Sequence, residues 1–301
     1  MRKMIRGILN KVGYDIVKVN VHSDNKAGKI KQVKVGNFII EMPGNNQQIS
    51  NYKYEPDANS QLGRLSVCIA QKYPDLSVID IGANVGDTIA IIKSAIDLPV
   101  IGIEGDDIAF SFLEKNTAQF QNISLLKEFL GEKRETMHVA LEKSGWNTTI
   151  VPSEKSEQVV TLKTLDDVLH EQQLFSRNLK LLKIDTEGFD TIIIRGAKEL
   201  LEMHKPVIYF EYNKSNMEAI HEDGLSTLFS LEKYGYTSVI FFDNKGRYIL
   251  TASINQHELI SQLHHYSDEY KSGIAYFDIC LFHETDSDIS SKFTGQEINK
   301  Q

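Results

Sequence analysis

Val78-Ile-Asp-Ile-Gly-Ala-Asn-Val-Gly-Asp-Thr88 is the stretch on which the fold turns. An apolar run of strand length ends at Asp80 and Ile81, and a turn holding Gly82 and Gly86 leads into a helix. Glycines in that place let a ligand approach the backbone at the carboxyl edge of an open α/β sheet, which is where such sheets bind ligands. A dinucleotide fingerprint would read G-x-G-x-x-G. Here the register is Gly82, Asn84, Asp87, so the second and third glycines are missing. Asp87 also sets a negative charge at the helix N-terminus, where a pyrophosphate would sit.

Those two departures disfavour a nicotinamide coenzyme and suit a donor without phosphate, such as S-adenosylmethionine (SAM). Outward from the turn, the sequence alternates. Strands are expected over 99–104, 123–129, 179–185 and 206–211, and helices over 108–120, 166–173 and 225–234. One helix is expected to carry Ile193, Ala197, Leu200, Leu201 and His204 on a single buried face. Two late strands, 238–242 and 275–282, follow with little helix between them. This pattern predicts an α/β fold, a mostly parallel sheet with helices on both faces and an antiparallel strand at the end. Upstream, short strands over 32–41, a polar loop over 43–56 and a helix over 62–71 are expected. The domain is read as 76–284, after an extension over 1–75 and before a polar, disordered tail over 285–301.

Acids gather at the strand ends. Glu104 lies 24 residues after Asp80, where doubly wound nucleoside binders place a carboxylate on ribose hydroxyls. Asp185 and Glu187 end a later strand, and Glu211 and Asn213 end the next. These groups could take a proton from a hydroxyl nucleophile. Alternatively Asp185, Glu211 and Asn213 could hold Mg²⁺ and so acidify the hydroxyl. Asp185 or Thr186 could also simply cap the following helix.

Composition narrows the field. The 301 residues are 41% hydrophobic, enough for a proper core, with 33 Lys+Arg against 41 Asp+Glu. Residues 1–34 hold nine Lys/Arg and two acids, so the remainder carries 24 basic and 39 acidic residues. An acidic body repels phosphate backbones, which argues against nucleic acid as a partner. Within 1–34, Ile5, Ile8, Leu9 and Val12 at helical spacing opposite lysines suit either packing on the body or peripheral contact with an anionic membrane. No apolar run approaches the ~20 residues of a membrane span, and no signal-peptide pattern is seen, so a cytoplasmic protein is expected. Cys68 and Cys280 read as buried thiols. Trp146, Tyr52 and Tyr54 are candidate stacking contacts for an acceptor. His257-Glu-Leu-Ile-Ser261 lacks the second histidine of a zinc-protease helix.

Asp80-Ile-Gly-Ala-Asn-Val-Gly-Asp-Thr88, Glu104, Leu113-Glu-Lys-Asn116, Thr164-Leu-Asp166, Lys183-Ile-Asp-Thr-Glu-Gly-Phe-Asp190, Arg195-Gly-Ala197 and Pro206-Val-Ile-Tyr-Phe-Glu211 resemble, in that order, the FkbM family of SAM-dependent methyltransferases. The resemblance covers about residues 76–283 and implies a Rossmann-like, seven-stranded SAM-methyltransferase sheet. It also implies O-methylation of hydroxyls, often on sugars, glycans or natural products, as in polysaccharide biosynthesis. By the same resemblance Asp80, Gly82, Ala83, Asn84, Gly86 and Thr88 would line the methionine end of SAM. Glu104 and Gly105 would meet the ribose, and Glu128 and Phe129 the adenine. Lys183, Asp185, Glu187 and Glu211 would face the acceptor. Many relatives have Glu-Pro where this chain has Glu104-Gly105. Two other readings stay open: a non-catalytic SAM- or nucleoside-binding partner in a biosynthetic complex, and a methyltransferase for non-sugar natural products. The acceptor and the oligomeric state are not set by the sequence.

Overall fold

The computed structural model describes residues 29–144, 147–152, 159–267 and 272–300. The expectations for residues 1–28 and for Trp146 fall outside them. β1 (Ile30–Val35) and β2 (Phe38–Pro43) form an antiparallel hairpin. Its inward residues Val33, Val35, Ile40 and Met42 share a cluster with Val85, Ala90 and Ile91. Alternation along both strands supplies that apolar face. Two helices follow, α1 (Gln48–Tyr54) and α2 (Ser60–Ala70).

The doubly wound part begins with β3 (Leu76–Ile81), α3 (Asp87–Ala95), β4 (Val100–Ile103), α4 (Asp107–Thr117) and β5 (Ile123–Leu126). Every residue of β3 and β4 is buried, because helices cover both faces of a parallel sheet. A small second sheet then intervenes: β6 (Phe129–Leu130), β7 (Glu135–Ser144), β8 (Asn147–Pro152) and β9 (Val159–Lys163), in the order β6-β9-β7-β8. The chain returns through α5 (Leu165–Glu171), β10 (Asn178–Ile184), α6 (Asp190–Arg195), α7 (Lys198–Met203) and β11 (Val207–Tyr212). It closes with α8 (Lys214–Ala219), α9 (Gly224–Ser230), β12 (Tyr236–Asp243), β13 (Tyr248–Ser253), α10 (His257–Tyr266), β14 (Phe277–His283) and α11 (Ser287–Ile298).

The main sheet runs β13-β12-β14-β11-β10-β3-β4-β5. The five strands from β11 to β5 are parallel, and β14 inserts antiparallel between β11 and β12. Eight strands stand where the family resemblance implied seven, because β12 turns back at Asp243–Gly246 into the extra edge strand β13. From β3 the chain winds outward to β5, then crosses back to β10 on the other side. The loops after β3 and β10 therefore part in opposite directions and open a crevice at their carboxyl ends.

Five expectations need correction. The polar loop expected over 43–56 contains α1, and the strand expected over 123–129 ends at Leu126, with Phe129 starting β6 in the second sheet. The helix expected through 193–204 is two helices broken at Gly196. Asp166 accepts from the backbone N–H of Glu199 at 2.8 Å and of Leu200 at 3.1 Å, giving α7 its own N-terminus. The stretch between the two late strands, expected to hold little helix, contains the ten-residue helix α10 as well as β13. The tail expected to be disordered forms α11, which buries Ile289 and Phe293 and joins Arg64 to Glu297 through two 2.6 Å hydrogen bonds. Its apolar stripe is only those two side chains, four residues apart, too sparse to register as periodicity. Upstream, the hairpin is tied down by Asn116, whose amide donates to the carbonyls of Glu41 at 2.9 Å and Val85 at 2.7 Å. Cys68 and Cys280 are free and buried. Among the described residues no helix is long and apolar enough to cross a membrane.

Candidate active site

The crevice holds a cavity of about 320 Å³ lined from both sides of the switch point. Its floor starts at Gly82, where φ is +67° and an added Cβ would lie 1.9 Å from the Asp185 carbonyl oxygen. Only glycine lets the two loops come that close. Beneath the floor, Asp80 is fully buried. Thr88 Oγ1 donates to its Oδ2, and Lys183 Nζ stands 2.9 Å from its Oδ1. Parallel pairing of β10 with β3 places Lys183 opposite Asp80, so strand register alone makes this ion pair. Lys183 also donates to the carbonyls of Gly82 at 3.1 Å and Ile81 at 3.3 Å, and lies 3.9 Å from Asp185 Oδ2. Burial opposes its charge, but Asp80 and Asp185 overcome that and hold the ammonium protonated.

Beside this network, Asp87 accepts a 2.7 Å hydrogen bond from the Tyr52 hydroxyl, and both side chains are buried. Burial raises the Asp87 carboxyl above its usual range. Tyr52 is thus spent inside the protein and does not offer its ring to an acceptor, whereas Tyr54 is 69% exposed.

On the β4 side, Glu104 is pinned by two backbone N–H groups, Asn84 on Oε2 at 2.9 Å and Asp106 on Oε1 at 2.8 Å. Burial raises its carboxyl. A carboxylate has about four acceptor sites, so the fixed group keeps capacity for hydroxyls. At Gly105 an added Cβ would sit 2.4 Å from the Phe129 ring, so glycine here lets Phe129 close the cavity's edge. Glu128 lines the same edge and is held by Lys163 at 2.7 Å.

The other half of the wall is acidic. Asp185, Glu187, Glu211 and Asn213 all line the cavity. Glu187 accepts from the Asn216 amide at 2.9 Å and Glu211 from the Asn213 amide at 3.1 Å. Burial, followed by repulsion from Asp185, Glu187, Asp190 and Asp278, drives the Glu211 carboxyl well above the normal range. Sequence reasoning missed Asp278 and Tyr276, which complete this wall. Antiparallel pairing sets Asp278 opposite Glu211, and burial together with Asp185 pushes it up to about 7. A lone carboxylate inside the apolar run Phe277–His283 was the signal that could have found it.

Of the residues expected to contact the donor, Gly82, Asn84, Thr88, Glu104, Gly105, Glu128 and Phe129 line the cavity. Asp80, Ala83 and Gly86 do not; they shape the turn from below. Lys183 lines the cavity but is 3% exposed and committed to Asp80 rather than offered to an acceptor. The metal set does not assemble. Asn213 Oδ1 accepts from the Asn216 backbone N–H as the cap of α8. Among the described residues, no three His, Cys, Asp or Glu side chains group so as to hold an ion. These donors give no support for Mg²⁺, and no step is routed through it.

A crevice at the switch point, with a first turn too acidic for a diphosphate and an acid pinned at the end of the next strand, places the domain among the SAM-dependent methyltransferases. Within that class the chain belongs to the FkbM methyltransferase family, whose domain model (Methyltransferase FkbM domain) matches residues 44–238. Among solved structures, the FkbM methyltransferase of Methylobacillus flagellatus KT is 18% identical over 55% of this chain, with a TM-score of 0.39. The match spans only 40% of that protein's chain. The plantazolicin methyltransferase BamL, solved with a triazolic desmethylPZN analog and SAH, is 12% identical. That match covers 78% of this chain and 89% of that one at a TM-score of 0.42. A caffeoyl-CoA O-methyltransferase, so named provisionally, from Staphylococcus aureus is 8% identical, with coverage of 78% and 91% and a TM-score of 0.42. No curated protein matches the chain.

Proposed function

We propose that the chain O-methylates a hydroxyl of a sugar, glycan or glycosylated metabolite. One observation carries this reading: Asp185, Glu187, Glu211 and Asp278 face the same cavity as the glycine turn and the Glu104 end of the sheet. An alcohol is a poor nucleophile at neutral pH, so a carboxylate within reach of its proton is the group such an acceptor needs. Bound in the cavity, SAM supplies an activated methyl and leaves the protein to align the acceptor. Gly82, Asn84 and Thr88 would border its methionine end, Glu104 its ribose, and Glu128 and Phe129 its adenine. Asp185 suits the base role because its side chain is 43% exposed, with Lys183 3.9 Å away to steady its charge. Glu187 and Glu211 are held by Asn216 and Asn213 and would grip neighbouring hydroxyls. A wall this rich in carboxylates repels phosphate, which disfavours nucleic acid as acceptor.

Incubation with methyl-labelled SAM and a panel of saccharides and glycosides tests the reading. Label is expected on an oxygen of a saccharide hydroxyl. Donor binding without transfer across the panel would point instead to a non-catalytic module, and transfer only to non-sugar alcohols to a different acceptor class.

A further inference from the structure

The upstream helix α1 stands on the mouth of the cavity, and its side chains answer a question the sheet leaves open. The Tyr52–Asp87 hydrogen bond fastens α1 to the first turn of α3. The charge of Asp185 reaches Tyr52, and that of Lys183 reaches Asp87. α1 therefore covers the β3–β10 half of the crevice, away from the β5 edge where Glu128 and Phe129 lie. Gln48 lies three residues before Asn51 and four before Tyr52, which makes it a neighbour of each on the helix surface, and both Gln48 and Asn51 line the cavity.

This half has to receive the amino-acid end of the donor, which carries an ammonium and a carboxylate. Acidic side chains are plentiful for the ammonium. For the carboxylate, the only cation among the described lining residues is Lys183, which is 3% exposed, paired with Asp80 at 2.9 Å and donating to the carbonyls of Ile81 and Gly82. Four of the turn's backbone donors are committed too. Gly82 and Ala83 donate to the Ile103 carbonyl at 3.0 and 3.1 Å, Asn84 to Glu104, and Gly86 to the Ala83 carbonyl at 2.8 Å. Gln48 and Asn51 on α1 offer neutral amide donors at this cavity. Asn51 Nδ2 donates to Gln48 Oε1 at 2.9 Å, which uses one of the four N–H donors the two side chains carry and holds them as a pair.

We propose that Gln48 and Asn51 form the carboxylate-binding site for the methionine moiety of SAM, with Tyr52 as the positioning residue that sets α1 over it. The proposal rests on the SAM reading. It makes α1 part of the donor site rather than an acceptor contact.

Calorimetric titration with SAM and with decarboxylated SAM, which differ only at that group, provides the test. The Gln48→Ala/Asn51→Ala double variant is expected to bind SAM about tenfold to a hundredfold more weakly, the worth of hydrogen bonds to a charged group. Its affinity for decarboxylated SAM should be unchanged. Gln48→Glu should weaken SAM at least as much by like-charge repulsion and again spare the decarboxylated ligand. Equal weakening of both ligands would show α1 to be a general cover, and unchanged affinity for both would show it to be a bystander; either overturns the proposal. Failure of the unaltered protein to bind either ligand would instead overturn the donor reading itself. Matching thermal melts confirm that each variant is folded.

Discussion

The two halves of the cavity treat charge in opposite ways. Under the glycine turn every ionised group is matched: Asp80 meets Lys183 and Thr88, and Asp87 meets Tyr52. Along the β10–β11–β14 edge, Asp185, Glu187, Glu211 and Asp278 face the cavity together; amides hold Glu187 and Glu211, and the one cation among the described lining residues, Lys183, lies 3.9 Å from Asp185 and is paired more closely with Asp80. The Glu211 carboxyl rises well above its usual range, and Asp278 reaches about 7. A matched network fixes geometry before any ligand arrives, because each buried charge would be costly alone. An unmatched carboxylate wall keeps the basicity that proton removal requires. The first half is built to be rigid, the second to be reactive.

The sharpest way to break this contrast is to remove one acid from the reactive half. Asp185→Asn should cut methyl transfer by about 100- to 10,000-fold, the range for loss of a general base, while SAM affinity by calorimetry stays nearly constant. Retained turnover would take Asp185 out of the mechanism. In the matched half the damage should appear in stability. Lys183→Met leaves Asp80 charged and buried without its partner, and urea denaturation should show a loss of about 3–5 kcal/mol. A loss below 1 kcal/mol would show that the Lys183–Asp80 pair does not help to hold the fold. Tyr52→Phe removes a single buried hydrogen bond to Asp87 and should cost about 1–3 kcal/mol, read from the same denaturation curves.

The smallest effect tests the pH behaviour of the reactive wall. The folded protein keeps Asp278 protonated up to about 7, whereas the unfolded chain releases that proton near 4. Between those values the folded state binds more protons, so this group's contribution to stability falls as pH rises. Asp278→Asn should flatten that decline, by at most about 1.4 kcal/mol per pH unit. Parallel slopes for variant and parent between pH 4 and 7 would show that Asp278 ionises normally.

Much of the site was readable along the chain because it is local. Val78–Thr88 encodes strand, turn and helix in eleven consecutive residues, and Glu104, Asp185 and Glu211 each close an apolar run at a strand end. Where the sequence misled, the cause was long-range. Lys183 sits in a motif beside Asp185 and was expected to face an acceptor, but register with β3 turns it to Asp80. Tyr52 and Asp87 are 35 residues apart with nothing between them to suggest a bond. The tail's helix depends on Arg64, 233 residues upstream of Glu297.

By itself the sequence determined the alternation that demands a doubly wound sheet, the place of the glycine turn in it, and the refusal of a diphosphate at Asp87. These follow from periodicity, backbone freedom and charge, all properties of neighbouring residues. Only the tertiary structure decided which groups meet: that Lys183 belongs to Asp80, that Asp278 stands opposite Glu211, and that α1 brings Gln48 and Asn51 to the cavity. Those outcomes depend on strand register and on helices packing across the sheet, and distance along the chain carries no record of either.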